Sequence, residues 1–439
     1  VLHEGHRTAS PIPHLSCTTC SLESSMTAID LGTRVPLRLP TATATFAVGI
    51  AGYLGVNLSP YMITAVQAAL AIDVLEASWI VTASLFLTAL AGLVIAPLCA
   101  GTLRSTVARV GLTIAALGFG AAALVPALMI PGLLVGGVGA GGAIAAAGAA
   151  MAAFRNPERV AGISGLVKGG LVTIVIAVIP LIGLAPITVF GALSLFSLLG
   201  LLFSTWLPAA PVLDTQAGAA VARAMPIEVP STGAIRITPA PSPTVKLAGF
   251  GLLVVFTLWA VSEDSLWAMG GVMGADQADL TPEGLGIALS GATAGALIAA
   301  VLLMIVGDKF GRGVPLVILL LAGGVLKIVE GFTTDPTAFI VVFIAWNTVY
   351  AVAFMFFFAT SAALDSGGRW SAPMLSVYLV GSALTPVIGA ALINILGYQG
   401  FSITLGIASF MLAVPAGAIA LLTTRLERTN THHMEEINA

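Results

Sequence analysis

The sequence predicts an all-α polytopic membrane protein with twelve transmembrane helices in two pseudo-symmetric six-helix bundles. Three observations lead there. The 439-residue chain is 58% hydrophobic and 8% charged, with a mean hydropathy of +1.05, whereas a soluble domain has about a quarter of its residues charged. Its apolar runs are continuous rather than alternating, which suits helices of roughly 20 residues and excludes a transmembrane barrel. One Pro-rich polar stretch, residues 208–245, divides the runs into two sets of six.

The runs between breaks of charge, Pro and Gly are residues 43–70, 79–100, 108–128, 131–153, 161–182, 185–207, 246–274, 284–306, 314–332, 337–361, 371–395 and 398–423, spans 1 to 12 in chain order. The chain therefore divides into a tail (1–42), a six-helix bundle (43–207), a linker (208–245), a second bundle (246–423) and a tail (424–439). Pro208, Pro211, Pro226, Pro230, Pro239, Pro241 and Pro243 mark the linker as a polar connector.

Basic residues orient the spans, because Lys and Arg are retained near helix ends on the cytoplasmic side. With both termini in the cytoplasm, Arg104, Arg109, Lys309, Arg312 and every other Lys or Arg outside a span fall inside. The outer loops then carry only acids: Asp73, Glu76, Asp276, Asp279, Glu283 and Asp335. The expected location is the cytoplasmic (inner) membrane, crossed many times.

Several function classes drop out. A net charge of −3 gives no reason to expect nucleic acid as a partner. Three cysteines cannot form a disulfide scaffold, and all five histidines lie in the tails, so neither a metal nor another cofactor is expected. No Gly-x4-Gly-Lys-Ser/Thr loop is present for nucleotide, and no His, Cys or Ser-Lys arrangement suggests an enzyme. The first 25 residues lack the apolar core of a signal peptide, and Met26 opens a shorter tail. Within that region Cys17 and Cys20, with His14 nearby, form a single CxxC that reads as part of a disordered tail.

Two loops repeat. Gly307-Asp308-Lys309-Phe310-Gly311-Arg312 lies between spans 8 and 9, and Gly101-Thr102-Leu103-Arg104-Ser105-Thr106-Val107-Ala108-Arg109 between spans 2 and 3. At an offset of 203 positions Arg109 meets Arg312, Ala108 meets Gly311 and Ser105 meets Asp308. The pair resembles the loop signature Gly-x-Leu-x-Asp-Arg-x-Gly-Arg-Arg of the major facilitator superfamily, which occurs once in each half. Gly137-Val138-Gly139-Ala140-Gly141 of span 4 is also similar, although Leu133 stands where the family often has Arg. The resemblance implies a gating role for Ser105, Arg109, Asp308, Gly311 and Arg312, with Asp308 facing the start of span 5 near Arg159. It further implies a central cavity lined by spans 1, 4, 7 and 10 and bordered by spans 5 and 11.

Charge at bilayer depth costs roughly 2.5 kcal/mol or more, so charged residues within spans are functional candidates. Lys168 lies nine residues after Arg159, about 13 Å into the hydrocarbon core. Glu263 and Asp264 sit mid-span 7 and point about 100° apart, so one of them faces a cavity and is the expected proton carrier. Asn57 and Tyr61 of span 1, Trp346, Asn347 and Tyr350 of span 10, and Tyr378 of span 11 fall near the same depth. With Lys168 they form the expected substrate-binding set. Lys327 and Glu330, three apart near the outer end of span 9, are expected to pair along the helix and snorkel.

These features predict a secondary transporter working by alternating access, with a small molecule, protons and lipid as partners and a monomeric chain. Lys168 favours an organic anion taken up with protons; the alternative is export of hydrophobic drugs in exchange for protons. A third possibility of another class is a receptor or scaffold that does not transport.

Overall fold

A computed structural model describes residues 35–99, 102–154, 157–208, 243–306, 311–364, 370 and 374–438. The N-terminal tail with Cys17 and Cys20, nearly all of the linker, and Asp308 lie outside the described residues.

Proline sets many of the helix starts. Pro157, Pro186, Pro243, Pro282 and Pro336 each open a helix, where the missing N–H breaks no internal bond. Span 2 begins at Val74, earlier than its hydropathy suggests. Asp73 and Glu76 cap it reciprocally: Glu76 N donates to Asp73 Oδ1 at 2.8 Å and Asp73 N to Glu76 Oε2 at 3.4 Å. Asp335 likewise accepts from Ala338 N at 2.8 Å and starts span 10. The acids of these loops therefore cap helices.

Span 1 runs as Leu39–Asn57 and Ser59–Leu70, with Leu58 between them at φ −90°, ψ 7°. Pro60 explains the interruption, since it cannot donate to the preceding turn. Spans 2 to 6 are Val74–Cys99, Arg104–Leu124, Met129–Ala152, Pro157–Ile182 and Pro186–Phe203. Spans 7 to 10 are Pro243–Ala278, Pro282–Val306, Gly313–Phe332 and Pro336–Leu364. Met374–Ala383 then leads into Thr385–Asn438, which Gly397 (φ 68°, ψ 177°) divides into the rest of span 11 and span 12. Among the described residues eleven stretches are long and apolar enough to cross a membrane; Gly397 divides the last, and its first part continues Met374–Ala383 as span 11, which makes twelve spans. The final helix continues through the segment expected as a tail.

Leu124, Leu181, Ile182, Met411 and Val414 project outward with 70–74% of their surface uncovered, as residues facing acyl chains do. The protein is a multi-pass membrane protein. Its small residues let helices approach closely: a Cβ on Gly137 would stand 2.3 Å from Ser84 O, and one on Gly118 2.4 Å from Gly136 N. The glycines of span 4 therefore serve packing against spans 2 and 3.

The two halves meet along one side. At the face of the Asp73 and Asp335 loops, a single apolar cluster joins Leu58, Met62 and Val66 to Leu266, Met269 and Met273. Towards the face of the Arg104 and Arg312 loops each half keeps its own core, Ala44, Val48 and Leu112 in one and Leu252, Phe256 and Leu316 in the other. Bonds between halves follow the same division. Trp267 Nε1 donates to Asn57 O (3.3 Å), Thr173 Oγ1 to Thr293 Oγ1 (2.8 Å) and Val387 N to Thr82 Oγ1 (3.1 Å). The bundles are thus joined on the acidic-loop side.

Candidate functional site

Glu263 and Asp264 are neighbours on span 7 with different surroundings. Glu263 points into its own half. Its Oε1 lies 2.6 Å from Lys327 Nζ of span 9, and its Oε2 accepts from Trp346 Nε1 of span 10 at 2.6 Å. Lys327 also donates to Ser262 Oγ at 2.9 Å and Ser409 Oγ at 2.8 Å, so its three protons are all engaged. The expectation that Lys327 snorkels and pairs with Glu330 is corrected: the ammonium is fully buried, and its partner lies across the bundle. A buried charge needs the nearest opposite charge with good geometry, and Glu263 supplies it.

Asp264 turns the other way, as the 100° step requires. Its Oδ1 accepts from Tyr350 OH at 3.0 Å, and Tyr350 and Tyr378 hydroxyls are 3.3 Å apart. Tyr378 and Ser382 also stand beside this carboxylate, yet Oδ2 has no hydrogen-bond partner among the described residues. Tyr53 of span 1 meets Tyr378, and Lys168 Nζ of span 5 sits 5.7 Å from the centre of the Tyr53 ring. One connected group therefore crosses between the halves: Lys168 and Tyr53 from one, Tyr378, Tyr350 and Asp264 from the other.

Lys168 makes no ion pair with any described carboxylate. It is only half-buried and lies against Gly49, where an added Cβ would be 3.2 Å from Cε. The ring face of Tyr53 gives it a weak electrostatic partner. The absence of a larger side chain at position 49 leaves room for the stem.

Other expected residues stand elsewhere. Tyr61 is fully buried and donates to Ile176 O at 2.9 Å. Asn347 Nδ2 donates to Ala292 O at 2.8 Å, and Trp346 is occupied by Glu263. Asn57 Nδ2 donates to Tyr53 O at 3.2 Å, one turn back on its own helix. Ser105, partly buried, and Arg109, exposed, lie not in the loop but in the first turns of span 3, while Gly311 has φ +66° and Arg312 begins the turn into span 9. Arg104 ties this region together by donating to Cys99 O (3.0 Å) and Pro208 O (3.1 Å). Tyr53 was the residue to find by sequence: it lies four before Asn57, on the same helix face.

No protein-family model matches the sequence, and no curated protein matches it significantly. Solved structures do resemble it. A peptide transporter POT bound to alafosfalin superposes with a TM-score of 0.66 at 15% identity, over 91% of this chain and 99% of that one. A bacterial homologue of the human drug peptide transporters PepT1 and PepT2 gives 0.66 at 13% identity, over 88% and 99%. The inward-open xylose transporter XylE from E. coli gives 0.60 at 13%, over 86% and 94%. The chain has the fold of these solved transporter structures.

Proposed function

We propose that the protein is a secondary transporter that moves a small organic anion together with protons by alternating access of two six-helix bundles. The observation that supports this most is the group spanning the interface, with the ammonium of Lys168 on one side and the carboxylate of Asp264 on the other. Lys168 offers donors to a substrate carboxylate. Tyr53, Tyr350, Tyr378 and Phe354 offer faces and edges to an apolar or ring-containing body.

Of the two carboxylates on span 7, Asp264 is the one assigned to proton coupling. Glu263 is saturated by Lys327 and Trp346, whereas Asp264 keeps one oxygen unpartnered between the halves. A proton on that oxygen removes a charge from a site of low dielectric. Protonation and anion binding then act together, and the substrate charge is balanced by Lys168. Among structures of the same fold, one is of a D-xylose-proton symporter and another of a proton dependent oligopeptide transporter, which favours protons as the coupling ion here. Asn57, Tyr61, Trp346 and Asn347 are bonded elsewhere and are left out of the proposed site.

The basic loops favour both termini in the cytoplasm under the positive-inside rule. The halves, joined on the acidic-loop side, would then open the site to the cytoplasm. Drug export by proton exchange is the competing function, and Lys168, with no carboxylate to neutralise it among the described residues, disfavours a cationic drug. A thermal-shift screen of the purified protein against aromatic monocarboxylates and cationic drugs tests the choice, since ligands stabilise in proportion to affinity and concentration. Carboxylates should raise the melting temperature; stabilisation by cations alone would favour export.

A further inference from the structure

Near the acidic-loop end of span 9, one turn beyond Lys327, Glu330 is completely buried and neither of its carboxylate oxygens has a hydrogen-bond partner among the described residues. Its neighbourhood repeats the problem. Ser402 Oγ of span 12 and Gln277 Oε1 of span 7 are also buried without partners. The three side chains converge on the last turn of span 9. Gln277 Nε2 donates to the Glu330 carbonyl at 2.8 Å and the Thr333 carbonyl at 2.7 Å, and a Cβ on Gly331 would stand 2.6 Å from Ser402 Oγ.

A donor inventory identifies what is missing. A carboxylate oxygen only accepts, so an ionised Glu330 would be a buried charge that meets no donor among the described residues. Buried polar groups are ordinarily paired, and a buried charge more strictly so. The nearest cation cannot help, because Lys327 is committed to Glu263, Ser262 and Ser409. Other charged or titratable groups on the surrounding helices are also accounted for. From span 7 come Glu263, Asp264 and Asp276; Asp276 Oδ2 accepts from Tyr398 OH of span 12 at 2.6 Å. Span 10 contributes no charged side chain between Pro336 and Leu364.

We infer that Glu330 is a proton-binding site separate from Asp264, holding its proton as a neutral acid while Lys327 is paired with Glu263. Protonation removes the charge that would otherwise be buried without a partner. The arrangement has a second state available, because Lys327 and Glu330 share a helix face three residues apart. If the proton passes from Glu330 to Glu263, Glu330 becomes the carboxylate, Glu263 the neutral acid, and the ammonium moves one turn along its own helix to follow the charge. One lysine, two acids and one proton carry zero net charge in both states. The exchange moves a proton between the acidic-loop end of the bundle and the residue adjoining Asp264. This inference does not depend on the transport proposal, since the proton is assigned by packing alone.

Infrared spectra of the full-length protein in liposomes at neutral pH test it, with Asp264→Asn as the background so that Asp264 contributes nothing. The carbonyl stretch of a buried carboxylic acid, shifted by D2O, should be present and should vanish in Glu330→Gln. It should vanish in Glu263→Gln as well, because Lys327 then turns to Glu330 and ionises it. The amide matches the neutral acid in shape, so Glu330→Gln should unfold at the wild-type midpoint. An absent band in the background protein, a band that survives Glu330→Gln, or a Glu330→Gln protein that fails to fold would each overturn the assignment.

Discussion

Lys327 and Glu263 form an ion pair of 2.6 Å between spans 9 and 7, with both side chains essentially removed from solvent. The pair divides labour between adjacent acids: Glu263 is consumed in holding the C-terminal bundle together, and Asp264 is left facing the other half. Two serines and a tryptophan complete the hydrogen bonding of the pair, which is what allows a charge pair to persist at this depth.

Removing one partner should therefore be costly. Lys327→Met leaves Glu263 charged and buried, and is expected to lower stability by about 3–5 kcal/mol. The double variant Lys327→Met with Glu263→Gln should recover much of that loss, since no charge is stranded. Denaturant unfolding in detergent, arranged as a double-mutant cycle, measures the coupling. Additive losses would show that the pair is not a unit.

Lys168 behaves differently because it has no such partner among the described residues. Lys168→Ala should fold with normal yield and weaken an aromatic carboxylate by roughly 10- to 100-fold, the effect of losing a charge-assisted hydrogen bond. Neutral ligands should bind as before. Calorimetric titration beside the folded yield separates this from a structural role, and unchanged affinity for carboxylates in a folded variant would remove Lys168 from the site.

Gly49 gives an independent handle on the same lysine. An added Cβ would come within 3.2 Å of Lys168 Cε and 3.3 Å of Ala147 Cβ. Gly49→Val should displace the ammonium and reproduce the selective loss of carboxylate binding without removing any charge. Equal binding by Gly49→Val and wild type would mean that the observed position of Lys168 is not the one used.

The loop pair yields a comparison from sequence alone. Asp308 is the only acid at its equivalent positions, Ser105 standing in the other copy. Asp308→Asn should slow turnover more than Ser105→Ala, measured as exchange in proteoliposomes. Equal rates for Asp308→Asn and wild type would remove the gating role.

The twelve crossings were readable because a lipid solvent demands long apolar runs, and no other composition produces them. Ends were less readable. Span 2 starts early because Asp73 and Glu76 satisfy its first N–H groups, a local bond that hydropathy does not register. Tyr350, Tyr378 and Asp264 share a depth along helices of known rise and are in contact, while Lys168 reaches this group only through Tyr53. The partner of Lys327 was not readable, since Glu263 is 64 residues earlier in the chain and the choice between it and Glu330 depends on how spans 7, 9 and 12 pack. Tyr61, Asn347 and Trp346 share the depth of the site but face into the bundles, a rotation about the helix axis that depth alone leaves open.

Asp264 decides whether the transport proposal is right. The decisive measurement is uptake into proteoliposomes of the aromatic carboxylate that most stabilises the protein, with and without an imposed pH gradient, for wild type and Asp264→Asn. Wild type should concentrate the solute only when the gradient is present. Asp264→Asn, fixed in a neutral state like that of the protonated acid, should lose accumulation and keep exchange across equal pH. Accumulation by Asp264→Asn at the wild-type level and with the same pH dependence would contradict the assignment of the coupling proton to Asp264.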